Sequence, residues 1–94
     1  MNRLICMLML AFAPFTHAAT MAPAKSGQCV ACHGQYGQST LASNPILRCQ
    51  HEPYLADALN AYRNGSRTHS AMNSIANTLQ PKDIKALAAW YANQ

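Results

Sequence analysis

The segment Cys29-Val30-Ala31-Cys32-His33 is the part of this sequence that decides how the chain folds. On a helix, the two cysteines lie one turn apart and His33 follows Cys29 by four residues, so all three side chains share one side. Two thiols on one edge can add to the two vinyl groups of a porphyrin, while the neighbouring imidazole reaches the iron. The spacing therefore predicts one covalently bound haem c, attached through Cys29 and Cys32, with His33 as an iron ligand.

The first residues carry an export signal. Arg3 is followed by an apolar run of about a dozen residues, which is short of the ~20 needed to cross a bilayer. Small residues follow the run, as they do before a signal-peptidase cleavage site. The pattern predicts a signal peptide over residues 1–18 and a single exported domain over residues 19–94, with no membrane span after cleavage.

The predicted domain is small for a protein that must build its own core. The chain has 94 residues, of which 76 remain after the predicted signal peptide. A chain of that size rarely buries enough apolar surface to offset its conformational entropy without a further constraint. We expect the covalently attached haem to supply that constraint by becoming the core of the domain.

The charges of the chain exclude a nucleic-acid-binding surface. Residues 19–94 contain six basic and three acidic side chains, which are scattered without a basic block. Neutralising the phosphates of a nucleic acid requires clustered lysine and arginine. We therefore expect no nucleic-acid partner.

Three other interpretations of the cysteines remain open. A redox-active Cys-x-x-Cys pair needs a strand–helix–strand unit, and no strand pattern is visible. A structural zinc site is an alternative, because Cys29, Cys32, Cys49 and His51 are residue types that suit tetrahedral Zn²⁺, although this site leaves His33 without a role. A disulfide between neighbouring cysteines would provide one weak constraint and leave an odd thiol.

The spacing of apolar residues predicts an all-α domain. Glycine, serine, asparagine and proline are frequent over residues 34–50, which we therefore expect to form a loop. Proline stands in the first turn of three predicted helices, where its missing N–H costs nothing. Apolar residues three and four positions apart mark the remaining helical segments. The predicted helices cover residues 23–33, 53–64, 72–79 and 81–92.

The second axial ligand of the predicted haem has three candidates: Met72, His69 and His51. A thioether sulfur is soft and favours ferrous over ferric iron, so a His/Met pair raises the reduction potential, as a carrier to a terminal acceptor requires. Met72 is the predicted ligand. His69 is the first substitute, and its other interpretation is a surface histidine in a loop.

Further motifs extend the cysteine segment along the rest of the chain: Cys29-Val30-Ala31-Cys32-His33-Gly34, Asn44-Pro45-Ile46-Leu47, Tyr62-Arg63-Asn64-Gly65-Ser66-Arg67, Met72, and Leu79-Gln80-Pro81-Lys82-Asp83-Ile84. Together they resemble the class I cytochromes c, in particular the small monohaem periplasmic type of bacteria. The resemblance covers essentially all of the chain from Gln28 onward. It implies the small class I cytochrome c fold, in which four short helices pack around one haem.

The resemblance also implies a function and roles for individual residues. It implies a periplasmic one-electron carrier that is not itself an enzyme, with redox proteins as donor and acceptor. By match, the carbonyl of Pro45 orients His33 and Leu47 packs on the haem, while His33 and Met72 are the axial ligands. A haem-bearing subunit of a larger periplasmic dehydrogenase complex is the alternative function.

Two residues depart from the family pattern. Gln80 stands where the family usually has a serine cap, so we expect the last helix to be less well held at its start. Cys49 stands where the family commonly has glycine. Because polar Arg48 and Gln50 flank Cys49, we expect an exposed, reactive thiol that forms a disulfide-linked dimer or a bridge to a partner subunit.

Overall fold

Four α-helices make up the regular structure in the described part of the chain. A computed structural model describes residues 13–14 and 21–94, so all of the predicted signal peptide over residues 1–18 except 13–14 lies outside the described residues. A short 3-10 helix, Ala24–Ser26, precedes the α-helices, and residues 21–94 contain no strand. This confirms the all-α prediction. The α-helices are α1 (Gly27–His33), α2 (Glu52–Asn64), α3 (Ser70–Asn77) and α4 (Pro81–Ala92).

The helix boundaries differ from the predicted ones mainly at the N-terminal side. Pro23 was expected in the first turn of a helix running to His33, but it lies in extended conformation before the 3-10 helix. Its carbonyl accepts a hydrogen bond from the Ser26 N–H at 2.9 Å. Helix α3 begins two residues earlier than predicted, at Ser70, because His69 serves as its N-cap. None of the helices in the described residues is long and apolar enough to cross a bilayer.

Helix α4 is held at its start by the side chain of Asp83. The Asp83 carboxylate accepts a hydrogen bond from the Gln80 N–H at 2.8 Å, and the Asp83 N–H donates to the Gln80 carbonyl at 2.9 Å. An acidic residue three positions after the N-cap satisfies a backbone donor that has no partner within the helix. The expectation of a poorly held helix start at Gln80 is therefore wrong.

The core is small and lies where α2 packs against α3 and α4. Leu79, in the turn between α3 and α4, and Leu87 of α4 are among its most deeply buried side chains, each 2% exposed. Burial of apolar surface stabilises the folded chain by about 25 cal/mol per Å², so a core of this few residues contributes little. The buried apolar residues among those described are Leu55, Ala76, Leu79, Ile84, Leu87, Ala88 and Tyr91.

The long loop over residues 34–50 is fixed by backbone hydrogen bonds rather than by regular structure. The Gly37 carbonyl accepts from the N–H groups of Leu47 at 2.9 Å and Arg48 at 3.1 Å, which closes the loop on itself. The Cys49 N–H donates to the Tyr91 carbonyl at 3.1 Å and so ties the end of the loop to α4. Since loop backbone polar groups need partners when water is excluded, these bonds keep the loop in one conformation.

Gly37 is required by the conformation of this loop. Its φ is +75°, a region that residues with a side chain rarely adopt, and an added Cβ would lie 2.8 Å from Tyr91 Cδ1 and 3.0 Å from the Arg48 nitrogen. We expect Gly37→Ala to lower the free energy of unfolding of the haem-loaded protein by about 1–3 kcal/mol, the usual cost of a strained backbone residue. Denaturant unfolding followed by circular dichroism measures this change.

Gly27 is the matched control for this substitution. Its φ is −53° and an added Cβ would meet nothing within 4 Å. Gly27→Ala should therefore stabilise the protein by about 0.4–1 kcal/mol, because alanine has less freedom to lose on folding. Equal effects of the two substitutions would contradict the assignment of Gly37 as a conformational requirement.

Candidate haem site

Helix α1 carries the two cysteines and the histidine of the Cys-x-x-Cys-His segment. Cys29 is half-buried, Cys32 is exposed and His33 is only 7% exposed. Both cysteines are free thiols. Burial raises the pKa of the Cys29 thiol above its ordinary value, so this group is held in the neutral form. The three side chains are therefore presented by one turn of helix, with the imidazole innermost.

The ring of His33 is oriented by the long loop. His33 Nδ1 lies 2.8 Å from the Pro45 carbonyl oxygen, to which it donates a hydrogen bond. A neutral imidazole that donates from Nδ1 has its free lone pair on Nε2, the atom that can bind iron. The loop around Pro45 is braced in turn, because Asn44 Nδ2 donates to the Cys32 carbonyl at 2.8 Å and Ser39 Oγ donates to the Asn44 carbonyl at 2.8 Å. Proline is suited to this place, since only its carbonyl is needed.

One apolar cavity lies between α1, the long loop, α2 and α3. Its volume is about 390 Å³. It is lined by the predicted site residues Cys29, Cys32, His33, Pro45, Leu47 and Met72. The structure thus brings together all six of these residues, although they come from three separate parts of the chain: α1, the long loop and α3.

Helix α2 supplies one wall of this cavity. From the sequence, its apolar residues were predicted only to share one face of an amphipathic helix. Leu55, Ala58, Leu59 and Tyr62 recur at helical spacing, and all four line the cavity. Ile75 of α3 lines it as well. The spacing showed that these residues share one face, but it could not show that the face looks onto a cavity instead of another helix.

The chemistry of the lining fits a haem. Ile46 and Tyr54 are large apolar side chains at the cavity rim and are 62% and 54% exposed, so a flat apolar group would cover them. Tyr91 also lines the cavity, and its buried hydroxyl has no hydrogen-bond partner among the described residues. Burial, and secondly the Cys29 thiol beside it, raise the pKa of Tyr91 well above its usual range. An apolar cavity with two thiols and one imidazole at its wall is the surrounding that a covalent porphyrin requires.

The three candidates for the second axial ligand lie in different surroundings. Met72 is half-buried and lines the cavity. His69 also lines it, but His69 Nδ1 accepts a hydrogen bond from the Met72 N–H at 3.3 Å and so caps α3. His51 is exposed and is not among the lining residues; its Nδ1 lies 3.3 Å from Gln50 Oε1. Of these three candidates, Met72 is the one with a soft donor atom, and no hydrogen bond involves its side chain among the described residues.

The alternative zinc site does not form. Among residues 13–14 and 21–94, no three histidine, cysteine, aspartate or glutamate side chains come together as metal ligands. Cys49 instead contacts the end of α4, where its thiol donates to the Gln94 carbonyl at 2.6 Å. The zinc interpretation built on Cys29, Cys32, Cys49 and His51 is therefore wrong. Residues of suitable type and spacing were separated by the fold.

Cys49 is exposed and has a φ of +59°, the left-handed conformation that favours glycine. The structure therefore explains why glycine suits this position and why a cysteine there is unusual. Cys49 takes no part in the cavity lining.

The fold and the site define a c-type cytochrome: four short helices around one apolar cavity, with a Cys-x-x-Cys-His segment in its wall. Comparison with known families agrees, because the Cytochrome c family model matches residues 19–93. The chain belongs to the Cytochrome c family. It therefore carries one covalently bound haem c and takes part in electron transport with redox partners.

Relatives of known type are found among bacterial cytochromes. The chain is 40% identical over 73 residues to cytochrome c-554(548) of Halomonas halodenitrificans, which covers 74% of this chain and 88% of the relative. It is 34% identical over 99 residues to cytochrome c4 of Pseudomonas aeruginosa, covering all of this chain and 49% of the relative. It is 37% identical over 81 residues to the thiosulfate dehydrogenase electron acceptor of Thiomonas intermedia, covering 85% of this chain and 36% of that protein. The chain thus spans half or less of the length of the latter two relatives.

Proposed function

We propose that this protein is a periplasmic one-electron carrier whose haem c is attached through Cys29 and Cys32, with His33 and Met72 as axial ligands. One observation carries the proposal: a single apolar cavity is lined by both thiols, by an imidazole held through Nδ1, and by a methionine sulfur. Each of these groups is of the kind that a haem c needs, and they come from α1 and α3, which are far apart in the sequence.

The residues of the site have distinct tasks in this mechanism. When bound, the haem iron takes up and gives up one electron. Pro45 fixes the ring orientation of His33 and keeps its proton on Nδ1, which makes Nε2 the better donor to iron. The soft sulfur of Met72 stabilises the ferrous state relative to the ferric state and raises the reduction potential. Leu47 is half-buried in the cavity wall and would exclude water from the part of the cavity that His33 lines.

The same arrangement argues against enzymatic activity. Met72 on the iron would leave no position for a substrate, so the chemistry is limited to electron transfer through the haem edge. Partners would be a redox donor and a redox acceptor that dock transiently, through interfaces below about 1,200 Å². The charges form no basic block, which argues against a nucleic-acid partner.

The proposed location is the periplasm, with residues 1–18 as a cleaved signal peptide and residues 19–94 as the haem domain. The apolar run after Arg3 supports export, and the family match over residues 19–93 begins where the signal is proposed to end. Attachment of haem to two thiols also requires that these thiols are free to react, as Cys29 and Cys32 are.

A haem-bearing subunit of a larger periplasmic dehydrogenase complex is the second candidate function. It is favoured by similarity to proteins named as thiosulfate dehydrogenase electron acceptors, from Thiomonas intermedia and from Stutzerimonas stutzeri at 39% identity over 69 residues. An exposed Cys49 would give such a subunit a means of covalent linkage to its partner, or to a second copy of this chain.

The first test concerns attachment and its effect on folding. We expect the purified protein to show the reduced and oxidised spectra of a haem c that stays on the chain under denaturing conditions. The Cys29→Ser/Cys32→Ser chain should lack both the haem and native helicity, because binding free energy is part of the folding free energy. Cys49→Ser is the matched control and should retain both. A double variant with full helicity and a sharp thermal transition would contradict the proposal that the haem forms the core.

The second test concerns the sixth ligand. Met72→Ala should abolish the weak charge-transfer band near the red end of the oxidised spectrum and lower the reduction potential, because the soft sulfur is lost. His69→Asn is the matched control: it removes an imidazole from the cavity wall and keeps a good N-cap for α3. It should leave the band in place. A changed spectrum in His69→Asn together with an unchanged spectrum in Met72→Ala would identify His69 as the ligand.

The third test concerns Cys49. Because its thiol is exposed at the surface of the loop, we expect it to react with an alkylating agent in the folded protein and to form an intermolecular disulfide. Non-reducing and reducing electrophoresis of the periplasmic fraction, stained for haem, would reveal a dimer or a larger complex. Migration as a monomer under both conditions would refute the bridge, and Cys49→Ser provides the negative control.

A further inference from the structure

The segment that joins α2 to α3 has little packing of its own. Residues 65–69 are all exposed. Within the segment, Arg67 has one backbone hydrogen bond to α2, from its N–H to the Ala61 carbonyl at 3.0 Å, and its guanidinium lies 4.7 Å from the centre of the Tyr62 ring. Exposed contacts of this kind contribute little to rigidity. Ser66 adds two hydrogen bonds, from its N–H to Asn64 Oδ1 at 2.9 Å and from Oγ to the Ala61 carbonyl at 3.4 Å, which also go to α2. Another group must therefore join the segment to the start of α3.

The side chain of Asn73 is that group. Asn73 Nδ2 donates to the Tyr62 carbonyl at 2.8 Å and to the Arg67 carbonyl at 2.9 Å, while Oδ1 accepts from the His69 N–H at 2.8 Å. Two carbonyl partners require the amide nitrogen and one N–H partner requires the amide oxygen, so the orientation of the amide follows from its partners. One side chain thus joins the last turn of α2, the connecting segment and the N-cap of α3.

All three backbone positions held by Asn73 belong to residues that line the haem cavity. Tyr62, Arg67 and His69 are lining residues, and so is Met72, whereas Asn73 is not. Met72 precedes Asn73 in α3, and its N–H is bonded to the His69 ring at 3.3 Å. A displacement of His69 or of the start of α3 would therefore move Met72 along the cavity wall.

We propose that Asn73 is a positioning residue that holds the Met72 sulfur at the haem iron by fixing the segment from Tyr62 to His69. The inference rests on the proposed function, in which Met72 is the axial ligand. The amide does this with three hydrogen bonds to backbone groups, one to α2 before the exposed segment and two within the segment. Without the Asn73 amide, two carbonyls and one N–H would lose their partners and form hydrogen bonds with water instead. The N-terminal end of α3, which carries Met72, would then be less constrained.

The test measures how easily an external ligand displaces Met72. The oxidised, haem-loaded protein is titrated with imidazole, and binding is followed by the absorbance spectrum. Since the loss of these hydrogen bonds makes Met72 easier to displace, Asn73→Ala should bind imidazole about tenfold more tightly than the unmodified protein, a change of about 1.4 kcal/mol. Ser74→Ala is the matched control, because Ser74 Oγ is exposed and bonds only to the Ser70 carbonyl of the same helix. Its affinity for imidazole should not change.

A second substitution, Asn73→Asp, keeps the test decisive if the alanine variant fails to bind haem. Asn73→Asp keeps an oxygen acceptor for the His69 N–H but loses both donors and places a carboxylate against two carbonyls. It should also increase imidazole affinity. Lower thermal stability of either variant with an unchanged affinity for imidazole would show a structural role alone and would overturn the inference.

The Met72→Ala background separates this inference from the proposed function. Where no sulfur has to be displaced, Asn73→Ala should leave imidazole affinity unchanged, so the two substitutions are coupled. If Met72→Ala raises the affinity and Asn73→Ala does not, the inference about Asn73 fails and the ligand assignment stands. If Met72→Ala itself changes neither the spectrum nor the affinity, Met72 is not the ligand and the proposed function fails at that point.

Discussion

The structure depends on the burial of apolar side chains around a cavity that the helices share, since the core residues Leu55, Leu87 and Tyr91 also line this cavity. The apolar face of α2 from Leu55 to Tyr62 lines the cavity. At the rim of the cavity, Ile46 and Tyr54 are largely exposed. A domain with so few buried apolar residues gains little from its own core, and its conformational entropy is of the usual size. A covalently bound haem resolves this imbalance, because it adds apolar area that cannot dissociate.

The two sides of the cavity are held by different means. On the side of His33, backbone hydrogen bonds close the long loop on itself and on α4, and Pro45 contacts the imidazole through its carbonyl. On the side of Met72, the connecting segment is exposed, and one amide side chain, that of Asn73, joins it both to α2 and to α3. The histidine side is thus fixed by a loop with many backbone bonds, and the methionine side is held separately by a single side chain.

Several predictions from the sequence were wrong for identifiable physical reasons. The zinc site required Cys49 beside the first cysteines, but the left-handed backbone at Cys49 turns its thiol to the end of α4. The weak start expected for α4 was judged from Gln80 alone, whereas Asp83 satisfies the exposed backbone donor. Pro23 stays outside the first helix, because its extended ψ of 145° is incompatible with a helical turn. In each case the outcome was set by a partner residue or by a local backbone angle.

The sequence by itself determined the helical class, the approximate extent of α2 and α4, and the groups offered by Cys29, Cys32 and His33, because helical spacing, proline and glycine act locally. It also marked the apolar stripe of α2, since periodicity shows which residues share a face. Only the tertiary structure decided that this stripe faces a cavity, that Met72 and His69 line it while His51 does not, and that Asn73 joins α2 to α3. These relations join residues distant in the chain, and their geometry follows from how the helices pack, which no local pattern records.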